Sequence, residues 1–330
     1  MAWPDRTNEV IVSVGATART HSTIAAWEAD TDDDCTAGWG AGIYAAACCP
    51  VGDCYKDAVF SETVSIQSAT SSDNYFRTLQ VHSGQGHDGT AWGGGVTINQ
   101  SFTEQYLQDQ YVVVDGFLHT GSSYAWRIQY GVAGGKILVK NLVCDETVLI
   151  CDVVGYKEAR NCMLVATDLN IVRGFTKAQN VSVLLLGTSN YTRCFLFCEC
   201  NNCIGMVDDT PGVDHEGYDV NCTGDYNIDS YTDVPGAHSV SSIDPEDIYT
   251  DIGAGQEDLH LKSDSTAASD AGTDLSGVTY GFDDDIDGDT RSDWDIGADE
   301  YVAAGGGLAV AVVALLIQRQ NKRKNSLIGR

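Results

Sequence analysis

An asparagine followed by a small or apolar residue recurs along the middle of the chain at a nearly fixed interval. The pairs are Asn141-Leu142, Asn161-Cys162, Asn180-Val181, Asn202-Cys203 and Asn221-Cys222, with spacings of 20, 19, 22 and 19 residues. A period near this length marks a solenoid, in which each repeat is too small to bury its own apolar side and must stack on the next. A coil of short strands needs sharp bends, and asparagine tolerates the left-handed backbone that such a bend demands. The residue after the bend then points inward and stacks on its equivalent one coil away. This reading places Cys162, Cys203 and Cys222 in equivalent inward positions, where cysteine acts as a small hydrophobe.

The segments between the asparagines suit short strands. Tyr111–His119, Trp126–Tyr130, Lys136–Lys140, Val181–Leu186 and Thr192–Phe197 are rich in β-branched and aromatic residues and are punctuated by Gly, Asn or Asp. Helical periodicity appears mainly near the start, where Ser22-Thr-Ile-Ala-Ala-Trp-Glu28 offers a plausible N-cap and a short helix with Ile24 and Trp27 on one face. Such a helix would cover the open end of a solenoid. The expected architecture is therefore all-β, a right-handed parallel β-helix with a short N-terminal capping helix and a C-terminal apolar and basic tail. Its expected parts are a strand and capping helix in 1–30, the β-helix in 31–240, a C-terminal coil and cap in 241–301, and the tail in 302–330.

Composition limits the partners. The chain has 330 residues and a formal charge of −28. A body this acidic repels a phosphate backbone, which excludes nucleic acid as a partner. Twelve cysteines suggest disulfides, but a chain of this length needs none as its main staple. Cys200-x-x-Cys203 has the spacing of a zinc pair, while Cys194 and Cys198 do not, so buried free thiols are the favoured reading.

Further segments resemble a known family. Val12-Ser-Val-Gly with Ser22–Ala29, and Cys54–Ile66, resemble the openings of right-handed parallel β-helix proteins of the pectin-lyase-like kind. Leu259–Gly272, Asp285-Ile-Asp-Gly-Asp-Thr-Arg291 and Asp295-Ile-Gly-Ala-Asp-Glu-Tyr301 resemble their closing pattern. The resemblance spans residues 8–301 and implies the fold; in the cap it implies, Arg291 pairs with nearby carboxylates. It does not imply one function, because this fold hosts lyases, hydrolases, adhesins and phage tail proteins. The galacturonase-like catalytic set does not carry over: Gly86-His87-Asp88-Gly89 and Arg127-Ile128-Gln129 depart from its segments, and Asn-Thr-Asp is missing.

No catalytic residue is assigned. The weak candidates are Asp208, Asp209, Asp214, His215 and Glu216, an acidic loop of the kind from which glycoside hydrolysis draws its two carboxylates. The plainer reading is a solvated loop, at most a glycan contact. No cofactor is expected and no metal is assigned; Asp283, Asp285, Asp287 and Asp289 begin like a calcium loop but lack its closing Glu, so Ca2+ is a weak candidate there.

Val302–Ile317 is uncharged, and five of the 19 basic residues fall in 318–330. The run is short for a bilayer, so 302–317 is either a membrane contact or a surface for self-association, a trimer among the options. Met1–Glu9 shows no apolar h-region of a secretory signal, which suits a particle assembled in the cytoplasm. The expected function is a virion surface protein of tail spike, fibre or decoration type, whose β-helix flank meets host glycans or the host surface alongside other virion proteins. The alternative is a β-helix adhesin or polysaccharide-degrading enzyme held at a bacterial cell surface.

Overall fold

The computed structural model describes residues 6–301, apart from 40–41, 58, 91–93, 101–104, 122–123, 130–134, 146–147, 153–154, 168–170, 187–191, 209–215, 254, 264 and 279–281. The tail at 302–330, and with it the apolar run 302–317, lies outside the described residues.

The chain winds into a parallel β-solenoid of about six turns. Three columns of strands run its length. The first holds Glu9–Val14, Cys49–Cys54, Arg77–Val81, Tyr111–Asp115 and Lys136–Lys140, then the first halves of Tyr156–Ala166 and Lys177–Leu185, then Glu199–Asn201 and Thr223–Asp225. The second runs from Val59–Phe60 through Thr97–Gln100, Leu118–Gly121 and Val143–Asp145 to the second halves of the two long strands, then Ile204–Val207 and Ile228–Asp229. The third runs from Ser65–Ile66 to Glu216–Tyr218.

The corner between the first two columns explains the asparagine repeat. Asn141, Asn161, Asn180 and Asn202 all have left-handed backbones, with φ of 52°, 46°, 51° and 53°. Register puts Gly116 one coil before Asn141, and it too is left-handed, with φ of 88°. The corner amides bond along the stack: Gly116 N donates to Lys140 O and Asn141 N to Arg160 O, each at 3.1 Å.

Asn221 departs from the expected column. Asn201 pairs with Asp225, so the equivalent of Asn202 is Tyr226, which carries the left-handed φ of 57°. The sequence spacing slipped because the last coil is longer between these points. Cys222 therefore leaves the inward column as well. By register that column is Phe117, Leu142, Cys162, Val181, Cys203 and then Asn227. The first five are fully buried and apolar. Asn227 ends the stack with hydrogen bonds to Cys203 N and Cys200 O, both 2.9 Å. It thereby pairs two buried backbone groups of the coil before it. All twelve cysteines are free and buried.

The helix α1 spans Ile24–Thr31, and Thr23 is its N-cap, accepting from Ala26 N at 3.0 Å. Ile24 and Trp27 are buried. The Trp27 ring lies so close to the first coil that a Cβ on Gly52 would stand 2.9 Å from it.

The described residues up to Glu300 form one compact unit. After the last coil the chain does not simply close the end. It turns back and covers the outer side of the second column. Tyr249 Oη donates to Val183 O at 3.4 Å, Ala298 N donates to Ser182 Oγ at 3.0 Å, and Asn202 exchanges two bonds with Thr273. This strap explains why Leu184, Ile204 and Met206 are apolar and buried although they face away from the interior. A strand covered on both faces loses the alternation of a half-exposed one. Arg291 locks the strap. It is buried, donates to the carbonyls of Asp284, Gly297, Ala298 and Asp299, and pairs with Glu300 at 3.4 Å.

Candidate functional site

A pocket of about 300 Å³ opens where the corner column, the loop after Arg77–Val81 and the strap meet. Each wall follows from the winding. The strands Cys49–Cys54 and Arg77–Val81 are neighbours in register, Asp53 opposite Gln80. Asp53 and the residues just past the second strand therefore come together. Asp53 Oδ1 accepts from Gln80 Nε2 at 3.2 Å, and Oδ2 lies 2.6 Å from His82 Nδ1. The His82 ring stacks on Tyr55 with centroids 4.1 Å apart, and the Arg19 guanidinium lies 3.6 Å from the centre of the Tyr55 ring. Arg19 is itself held by Asp57 at 3.0 Å.

The loop then folds onto the corner. His87 Nε2 lies 2.8 Å from Asn141 O, so this nitrogen donates, while Nδ1 accepts from Gly89 N at 3.2 Å. The ring is thereby fixed as the neutral Nε2–H tautomer. Burial pushes its pKa below the usual histidine range, against the raising pull of the Asn141 carbonyl. On the opposite wall Asp115 accepts from Asn141 Nδ2 at 2.8 Å and pairs with Lys140 at 3.0 Å. The strap supplies Ile286, Asp287 and Gly288.

The acidic loop is brought together less than its spacing suggested. Asp208 is exposed, its amide donating to Leu185 O at 2.9 Å. Glu216 is spent on Arg193, 2.5 Å away, which Asp219 also approaches at 3.4 Å. Asp209, Asp214 and His215 lie outside the described residues. The aspartates of the calcium-like stretch do not converge. Asp285 turns inward, accepting Asp287 N and Asp289 N on Oδ1 and Glu300 N on Oδ2. Asp283, Asp287 and Asp289 are exposed. Asp287 instead joins His260 and Asp299 of the strap, one donor atom from each lying within 4.8 Å of the others. Asp258 reaches His260 from the other side, bonding Nδ1.

Sequence reasoning missed the Asp53–His82 pair, His87, Asp115 and the His260 cluster. Asp258-Leu259-His260 carried a local signal, since residues two apart on a strand share a face. The Asp53–His82 pair carried none, because only the register joins positions 29 apart.

Comparison with protein-family models, with curated proteins and with solved structures finds no match for this chain.

Proposed function

We propose that this chain is a structural β-solenoid of a virion surface, of tail spike, fibre or decoration type, and that its strap-side pocket binds a host glycan. The observation that carries the reading is the pocket itself. It sets the His82 ring, backed by its stack on Tyr55, beside fixed polar side chains on Asp115, Asn141 and His87. Sugars present apolar C–H faces to rings and hydroxyls to planar polar groups, so a concave site with few convergent polar groups suits them. Asp115 and Asp287 make the pocket acidic, which favours neutral or amino sugars over sulfated or uronic ones. The test is a glycan array probed with the full chain: binding confined to neutral or amino sugars supports the reading, and an array without signal removes it.

A cell-surface protein that degrades polysaccharide is the second reading, favoured by one feature. Asp53 orients the His82 imidazole at the pocket edge, the arrangement a general base requires. Release of reducing ends from a bound polysaccharide, lost in His82→Ala, would favour this reading over a purely adhesive one.

A further inference from the structure

We propose that His260, Asp287 and Asp299 bind one divalent transition-metal cation at the rim of the pocket. The inference stands whether or not the pocket takes a sugar. Three parts of the strap converge here: the strand Asp258–Leu261, the turn at 285–289 and the segment after Arg291. The imidazole is oriented for the task. Its Nδ1 bonds the Asp258 carboxylate, which leaves Nε2 directed at Asp287 Oδ2, 3.2 Å away. A carboxylate holding the far nitrogen of a ligating histidine is the usual second shell of a metal site, because it sets the tautomer and raises ligand basicity.

Asp299 provides an independent observation. It is 6% exposed. Its Oδ2 accepts from Leu261 N at 2.8 Å, and no donor reaches Oδ1 among the described residues. That leaves Oδ1, which can still accept, for a cation arriving from solvent. Gly89 also keeps the approach open. A Cβ there would stand 2.2 Å from His260 Nε2 and 3.1 Å from Asp287 Oδ1, so any side chain would fill the space between the two donors.

The donors lie within 4.8 Å of one another. Bonds of about 2.0–2.2 Å place adjacent donors about 3 Å apart, so binding draws them inward. Asp287 is exposed and is free to make that rotation. One nitrogen with two carboxylates selects zinc or manganese over calcium or magnesium, which prefer oxygen-only shells. Without metal, a proton on Nε2, shared with Asp287, takes the cation's place.

Mn2+ is the better probe, since it has little affinity for the chain's thiols. Titration of the full chain, with free Mn2+ read by electron paramagnetic resonance, should give one site per chain. His260→Gln and Asp299→Asn should each weaken it by about tenfold or more, while Asp283→Asn leaves it unchanged. Asp287→Asn, at an exposed position, serves as a further variant should either buried change impair folding by circular dichroism. No Mn2+ binding, or binding that these three variants do not alter, would overturn the proposal. Glycan binding is read separately on the array, so failure there does not count against the metal site.

Discussion

Asp53 and His82 lie one coil apart and meet at 2.6 Å, with Tyr55 stacked against the imidazole. The carboxylate takes Nδ1–H, so the ring's plane at the pocket edge is fixed before any ligand arrives. His82→Ala removes both the stack and the hydrogen bond. It should weaken glycan binding by about 1 kcal/mol or more, and His82→Phe, which keeps a ring over Tyr55, should recover part of the loss. Isothermal titration of the array's best ligand reads both.

The corner asparagines should not tolerate alanine. Asn161 holds φ at 46° and donates to Asp284 O at 2.9 Å, tying the corner to the strap. Alanine pays about 1–2 kcal/mol for the left-handed backbone and loses a bond worth about 1 kcal/mol. Asn161→Gly loses only the bond. Urea denaturation should therefore rank wild type above Asn161→Gly, and that above Asn161→Ala.

The repeat made the fold legible because its cause is local: a bend that only a few residue types accept must recur once per coil. It failed at Asn221 because a uniform spacing cannot register a longer last coil. The strap was visible only as a closing pattern, and its path along the second column was not. Leu184 and Met206 signalled cover on the outer side, but nothing in the chain says which segment supplies it. The pocket was illegible for the same reason. Its walls come from 80–84, 86–87, 115–116, 141 and 286–288, which only the winding brings together.

Asp229 is a buried acid at the C-terminal end of the solenoid. Its Oδ1 accepts from Tyr231 N at 3.0 Å, and Oδ2 is buried without a partner. Burial raises its pKa from 3.8 to about 6. The folded state thus holds this proton more tightly than the unfolded chain. The stability contributed is full below pH 3.8 and is lost as pH rises through 6, on the order of 3 kcal/mol for this group. Asp229→Asn should stabilise the protein by about 1–2 kcal/mol at pH 7.5, part of the gain being offset by an amide N–H left unpaired. The gain should vanish below about pH 5, in thermal melts across that range.

Native thiol labelling should be slow throughout, since all twelve cysteines are buried. Cys222 should react first. A hydrogen bond from the Cys200 thiol, outweighing burial, lowers its pKa to about 7, whereas burial pushes the Cys162 thiol up to about 12. Mass spectrometry after brief alkylation at pH 7.5 should find Cys222 modified ahead of Cys162, and fast labelling of Cys162 would mean that the inward column is open.

Whether the pocket between corner and strap binds a neutral or amino glycan is read from the affinity of the full chain and of Asp115→Ala for the best ligand on a glycan array. Asp115 faces the pocket and touches the protein through Asn141 and Lys140. The wild type should bind saturably and the variant should lose about tenfold or more, as a charged hydrogen-bond acceptor is removed. Equal affinity in the two proteins, or no glycan binding by the wild type, would mean that the pocket is not a glycan site.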